Sequence, residues 1–187
     1  MKSINEYFSQ SEKTSLISEY LLSRKNSKQI NYSSLERFIM YLKSNTNYSS
    51  AIETIDDLFN NCKNLLKNYN ELNDLFDFLN DIIDKYKESN LEVYVNRLNK
   101  PADKSNALTK YDIVFKFGTN LFSITFWENE TYIGTTFTGQ YTSTIDYNKR
   151  TLRNFNNYDF YNYSKEINDE NIEIMIYCIE KWINNIK

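Results

Sequence analysis

The sequence predicts an α+β fold, in which a helical N-terminal half is followed by an antiparallel β-meander and one C-terminal amphipathic helix. In the first half of the 187 residues, apolar side chains recur every three or four positions, which is typical of helices that bury one face. Between Tyr111 and Thr138 apolar and polar residues alternate, which is typical of half-buried strands. We expect a single domain over residues 1–187, with a helical subdomain at 1–89 and the sheet and last helix at 90–187.

About four helices are expected in the N-terminal half, the first over residues 3–25. The motif SSLE at residues 33–36 has the pattern of a capping box, in which Ser and Glu side chains bind the free amides of a helix start. It predicts a second helix that runs to about Lys43, and the same pattern at residues 50–53 opens a third. Polar residues around Asn70 favour a break there, with Asn70 as the cap of a fourth helix rather than one long helix.

Four to five strands are expected in the meander, and the connections between them are too short for parallel pairing. The first strand is Leu91–Leu98, where alternation begins, and the stretch from Tyr111 to Thr138 supplies three more. Residues 141–147 form the fifth. Gly118 predicts a tight turn, and Gly134 inside a strand indicates a bulge or the close approach of another element.

The remainder of the chain is expected to cover the sheet. Residues 149–164 show no period and are interpreted as an irregular segment that packs on the sheet through its aromatic side chains. Asn168 then caps a clear amphipathic helix, and the two acidic residues that follow it suit the positive end of the helix dipole.

Missing residue types exclude several function classes. The sequence has no His, which excludes Ser–His and Cys–His dyads and His metal ligands. It has three Gly, all in the sheet region, which excludes a phosphate-binding loop and a dinucleotide fingerprint. We therefore expect no cofactor and no metal. Cys62 and Cys178 lie on apolar stripes and are interpreted as buried free thiols, with a disulfide as the less favoured alternative.

Composition also bears on origin and location. Asn, Lys, Ile, Tyr and Phe, whose codons are rich in A and T, are abundant, which indicates an AT-rich bacterial or phage genome. The first residues lack the apolar core of a secretory signal, and no stretch approaches the roughly 18 apolar residues of a membrane span. These features predict a cytoplasmic protein without a membrane partner.

An acidic stripe on the fourth predicted helix is the clearest charge feature. Residues 71–90 carry six acidic side chains against two lysines, a net charge of −4, whereas the whole chain carries −3. Like charges three or four positions apart repel, so this stripe is the predicted docking site for a basic surface on a partner protein. The competing interpretation, which is the commoner one for a charged helix face, is that the stripe is simply solvated. The stripe consists of Asp74, Asp77, Asp81, Asp84 and Glu88.

A basic and aromatic segment follows the meander and is a second candidate interface. Cations beside stackable rings suit single-stranded nucleic acid or a protein interface. The sequence pI of about 5.2 disfavours general nucleic-acid binding, and rings that simply cover the sheet are the more ordinary interpretation. The candidate residues are Lys149, Arg150, Arg153, Tyr158 and Tyr161.

Carboxylates on or beside the strands are the third candidate. Pairs of acids can serve glycoside hydrolysis or hold a divalent cation. Their spacing matches no nuclease or glycosidase signature, so catalysis is the least favoured hypothesis. These residues are Asp112, Glu128, Glu130 and Asp146.

These observations favour a non-enzymatic inhibitor that binds another protein through the acidic stripe. Its expected partner has a basic surface, such as the nucleic-acid groove of a nucleic-acid-processing enzyme. Toxin immunity and phage anti-defence, including inhibition of CRISPR systems, are the settings in which such small acidic proteins occur. The alternatives are a nucleic-acid-binding protein that uses an aromatic sheet face with the basic segment, and an enzyme that uses carboxylates and a metal.

Overall fold

The computed structural model describes residues 32–45, 51–98, 110–127, 131–154 and 164–186. The predicted mixture of helices and antiparallel sheet is confirmed, while the predicted helix over residues 3–25 lies outside these ranges. None of the described helices is long and apolar enough to cross a membrane. The helices are α1 (Tyr32–Asn45), α2 (Ala51–Asn68), α3 (Glu71–Tyr86) and α4 (Asp169–Asn185). The strands are β1 (Leu91–Leu98), β2 (Lys110–Phe117), β3 (Asn120–Trp127), β4 (Tyr132–Thr138), β5 (Ser143–Asp146), β6 (Thr151–Asn154) and β7 (Ser164–Glu166).

The sheet has seven strands within the described residues, so the expectation of four to five was wrong. Strands β1 to β6 are neighbours in sequence order, all antiparallel, and β7 returns to pair with β4. The two unexpected strands fall at the ends of the segment 149–164, which was interpreted as irregular throughout. Strands of four and three residues are too short to show a period, because alternation needs several repeats to be visible.

One edge of β4 is shared by two strands. Thr136 and Phe137 pair with β5, whereas Tyr132, Ile133 and Gly134 pair with β7. Both strands are antiparallel to β4, so they run in the same direction along its edge, and the end of β5 points toward the start of β7. Gly134 pairs with β3 on one side and with β7 on the other, so β7 is the close neighbour that its position predicted, and the ladder with β3 has no bulge.

The two-residue turn after β2 follows from its sequence. Phe117 pairs with Asn120 across the turn, and Gly118 has a φ of 62°, a conformation that costs glycine little and other residues more. Positive φ in a two-residue loop matches the twist of the flanking strands, which is why this hairpin closes tightly.

The helices cover one face of the sheet through aromatic contacts. Phe115 and Phe122 stack across β2 and β3 with ring centres 4.7 Å apart. Trp182 of α4 meets Phe122 edge-on at 5.8 Å and Phe137 at 5.5 Å. Phe38 of α1 and Phe76 of α3 lie 5.4 Å apart and reach the same face. These rings form one apolar core with the helix stripes, and both predicted free thiols, Cys62 and Cys178, are buried in it.

The helix boundaries confirm some of the predicted signals and correct others. The break between α2 and α3 is confirmed at Tyr69 and Asn70. Asn70, however, makes no side-chain cap hydrogen bond, so its predicted capping role was wrong. The helix predicted from the motif at 33–36 is present as α1, which the structure describes from Tyr32, and the side chain of Ser34 binds α3. The cap at Asn168 is confirmed, since its Oδ1 accepts the Asn171 N–H at 2.9 Å.

Candidate functional surfaces

The way α3 packs on α1 decides where the residues of the acidic stripe lie. Asn80 is buried between the two helices, and its Nδ2 donates to the Ser34 carbonyl at 2.7 Å. The Ser34 hydroxyl in turn donates to Asp77. One turn further on, Arg37 lies 3.7 Å from Asp84, and both side chains are more than half exposed. This polar seam fixes which side of α3 faces α1.

The seam divides the predicted stripe. Asp77 and Asp84 lie on the side of α3 that meets α1, whereas Asp74 and Asp81 are exposed and form no ion pair within the described residues. Glu88 is also exposed, but it lies in the turn at residues 87–90, after α3 has ended at Tyr86. The stripe is therefore not one continuous helical surface, because part of it is used inside the molecule.

The outward side of α3 combines charge with an aromatic ring. Phe78 lies four residues after Asp74 and three before Asp81, so the three side chains share one face of the helix. Its ring is partly buried against the core and partly open to solvent. Lys85 is exposed at the C-terminal end of the same face, with its Nζ 5.5 Å from the Tyr86 ring centre. We name this surface, comprising Asp74, Phe78 and Asp81, the outer face of α3.

The basic candidates surround the turn between β5 and β6. Lys149 and Arg150 lie in the turn itself, and Arg153 lies on β6, while Tyr158 and Tyr161 fall outside the described residues. Arg150 has a φ of 49°, and its guanidinium lies 3.3 Å from Glu170 at the start of α4. The backbone N–H of Lys149 donates to Asp146 Oδ1 at 3.2 Å, which holds the turn closed.

A cleft lies beside this turn, where β5 leaves the edge of β4 and β7 joins it. Its volume is about 240 Å³. Among the lining residues that the structure describes, Arg153 and Lys165 are cationic and Asp146 is anionic. We name it the β5–β7 cleft. It is lined by Ile145, Asp146, Tyr147, Asn148, Arg153 and Lys165.

Tyr147 and Lys165 form the inner part of this cleft. Tyr147 is 7% exposed, and its hydroxyl has no hydrogen-bond partner within the described residues. Burial, together with the nearby Cys178 thiol, raises the pKa of Tyr147 above its ordinary value, so the phenol stays protonated. The Lys165 Nζ lies 5.8 Å from the centre of the Tyr147 ring, where the electron-rich face attracts a cation.

Sequence reasoning did not identify Lys165. It reaches the cleft because β7 pairs with β4, a contact between segments distant in the sequence. A lysine within a three-residue strand carries no local signal of its own, so only the sheet topology reveals it.

The two candidate strand carboxylates that the structure describes, Asp112 and Asp146, lie in different parts of the sheet. Asp112 accepts a hydrogen bond from Thr125 at 2.6 Å and lies 3.6 Å from Lys110, while Asp146 belongs to the turn before β6. Glu128 and Glu130 lie outside the described residues. Among the residues that the structure describes, no three His, Cys, Asp or Glu side chains are grouped so as to hold a metal ion.

The aromatic sheet face is enclosed by the helices. The rings of Phe115, Phe122 and Phe126 on this face are buried in the core. Stacking requires an open ring face, so these residues are out of reach of a nucleic acid in this fold.

Comparisons with known proteins give no relative: no protein-family model, no curated protein and no solved structure matches the chain.

Proposed function

We propose that this protein acts by binding another protein, without catalysis of its own, and that it inhibits that partner through the outer face of α3. The observation that supports this function best is the partly exposed ring of Phe78 between the exposed carboxylates of Asp74 and Asp81. An aromatic anchor within a charged surround is a common arrangement at protein interfaces, where the ring supplies burial and the charges select the partner.

The charge of this region indicates a basic partner. Residues 71–90 carry a net charge of −4, and the side chains of Asp74 and Asp81 project from a folded helix rather than from a loop. Asp77 lies three residues from Asp74 and four from Asp81, so these like charges repel each other, and a cationic surface relieves that repulsion on binding. Complementary charge also accelerates encounter and orients the two proteins.

A nucleic-acid-binding groove is the kind of basic surface that these carboxylates would fit, because they can take the places of phosphates. Blocking such a groove would inhibit a nuclease or another nucleic-acid-processing enzyme. This leads to two biological settings, a toxin-immunity protein or a phage anti-defence protein such as a CRISPR inhibitor. Both settings are proposed because small acidic proteins of this type occur in them, and neither rests on a shared fold.

The test is a charge reversal with a matched control. The variant Asp74→Lys/Asp81→Lys changes two exposed acids seven residues apart on α3. The control Glu173→Lys/Glu180→Lys changes two exposed acids at the same spacing on α4, so both variants have the same net charge. Wild type and both variants are immobilised and exposed to lysate of the native host, and the captured partner is then purified for titration.

The expected result is one stoichiometric protein that wild type and the α4 control retain and the α3 variant loses. With the purified partner, the α3 reversal should weaken binding on the order of a hundredfold, because juxtaposed like charges cost several kcal/mol. Equal loss in both double variants would show that net charge alone controls binding and would remove the outer face of α3 from the proposal. Retention of the partner by both variants would also show that the outer face of α3 is not the binding surface.

A further inference from the structure

The β5–β7 cleft is a second feature, distinct in composition from the outer face of α3. Paired residues of an antiparallel ladder share a face of the sheet. Arg153 pairs with Thr144 and therefore belongs to the face opposite the helices, whereas Lys165 pairs with Ile133 on the helix-covered face. Both nevertheless line the cleft, because the ladder along β4 is interrupted between the end of β5 and the start of β7.

The cleft concentrates positive charge in a partly enclosed space. Arg153 and Lys165 are half-buried, and Lys165 forms no ion pair within the described residues. Placing a lysine in a half-buried position without a carboxylate is unfavourable, because the charge loses part of its hydration. Asp146 also lines the cleft, where its Oδ1 accepts the Lys149 N–H and its second oxygen is left for a ligand.

We propose that the β5–β7 cleft binds the phosphate group of a small ligand, with Arg153 and Lys165 as the residues that contact its oxygens. The Arg guanidinium is a planar fork of donors that fits two phosphate oxygens, and the Lys ammonium adds a compact charge. Two cations match the charge of a phosphate monoester better than that of a single carboxylate. The volume of about 240 Å³ lies below the roughly 300–1,000 Å³ of pockets for drug-sized molecules, so the ligand is small.

The remaining polar groups of the cleft indicate what the rest of this ligand carries. Asp146 retains a second carboxylate oxygen, and Asn148 offers both a donor and an acceptor. A phosphate ester that also has a hydroxyl group can donate to Asp146 while its phosphate lies on Arg153 and Lys165. No residue of the outer face of α3 lines the cleft, so phosphate binding there is independent of the protein-binding proposal.

The experiment measures thermal unfolding of the full-length protein with increasing inorganic phosphate, against sodium chloride and sodium acetate at equal ionic strength. A ligand that binds only the folded state raises the unfolding temperature in proportion to the logarithm of its concentration once the site is saturated. We expect phosphate to raise it beyond the chloride series and acetate to have little effect. Equal curves for phosphate and chloride, or equal stabilisation by acetate, would overturn the assignment.

Two pairs of variants separate the cleft from general electrostatics. Arg153→Gln is compared with Arg150→Gln, and Lys165→Gln with Lys149→Gln, so that each pair removes one charge of the same type from the same region. We expect each cleft variant to weaken phosphate binding about tenfold, which is the usual effect of losing a hydrogen bond to a charged group, while the two turn variants retain it. Equal weakening within both pairs would contradict the proposal.

Asp146→Asn provides a test of opposite sign. The amide oxygen that this substitution introduces can still accept the Lys149 N–H, so the turn retains its hydrogen bond, while the negative charge beside the cleft is removed. We expect phosphate to bind several-fold more tightly to this variant, because a like charge near an anion is unfavourable. A purely structural role for the cleft residues predicts no gain, and an unchanged or weaker affinity would count against a bound anion.

Discussion

The two faces of the sheet differ in chemistry, and two threonines show how. Thr125 on β3 lies on the face opposite the helices, and its hydroxyl donates to Asp112 at 2.6 Å. Thr135 on β4 lies under the helices, and its buried hydroxyl has no hydrogen-bond partner within the described residues. At Thr135 the helix-covered face is thus organised by apolar contact even though a polar atom is present, whereas at Thr125 the other face pairs its polar atom. We expect the loss of apolar contacts to be the main cost of substitutions on the first face, and the loss of hydrogen bonds to be the main cost on the second.

The largest effect should come from deleting a ring on the helix-covered face. Phe122→Ala removes contacts with Phe115 and Trp182, and we expect it to lower the free energy of unfolding by roughly 3–5 kcal/mol. Chemical denaturation measures this value. The control is Tyr141→Ala, which truncates a ring that is 65% exposed and should cost no more than about 0.5 kcal/mol. Similar losses of unfolding free energy in Phe122→Ala and Tyr141→Ala would show that the helix-covered face has no special weight in stability.

The second effect is a loss of stability at alkaline pH that depends on Cys62. Burial raises the pKa of the Cys62 thiol, so the folded protein keeps it protonated while the unfolded chain ionises it at its ordinary pKa. The stabilisation is complete below the unfolded pKa and is lost as pH rises toward the folded one. Between about pH 8 and pH 10 one such thiol costs about 2 kcal/mol.

The variant Cys62→Ala tests this dependence. It has its own packing cost at every pH, so the informative quantity is the slope of unfolding free energy against pH rather than its value. The slope should be shallower than in wild type by the contribution of one thiol. Parallel slopes would mean that Cys62 reaches solvent, and that this part of the helix layer is not dry.

The smallest expected effect is a difference in sign between the changes in unfolding free energy when each of the two threonines is replaced by valine. Thr125→Val should lower the free energy of unfolding by about 1–2 kcal/mol, because Asp112 loses a hydrogen bond. Thr135→Val should leave it unchanged or raise it by up to about 1 kcal/mol, because a buried hydroxyl without a partner is replaced by a methyl group. Equilibrium denaturation of both variants measures these free energies. A loss of stability from Thr135→Val would refute this account of the helix-covered face.

The sequence allowed much of this fold to be predicted, because long elements repeat their period several times. The bounds of β1 were predicted as they are found, and the break before α3 was located correctly. The strands β6 and β7 were missed because each has only four or three residues. Their pairing depends on neighbours elsewhere in the sheet, which local pattern does not encode.

The candidate surfaces were predictable only in part, for the same reason. The period of α3 correctly placed the acids away from the Leu and Ile stripe. It did not show that Asp77 and Asp84 turn toward α1, because this depends on how Ser34 and Arg37 are presented by a second helix. For the cleft, Arg153 was identified from local charge, whereas Lys165 required knowledge of the β4–β7 pairing.

The shared edge of β4 has a consequence for motion. Because β7 pairs with β4 through three residues, we expect it to open locally while the ladder from β1 to β4 stays intact. Its amide hydrogens should therefore exchange with solvent before those of β2 and β3. Lys165 moves with β7, so an occupant of the cleft would slow that exchange locally, and the shortest strand of the sheet would be the one to report that the cleft is filled.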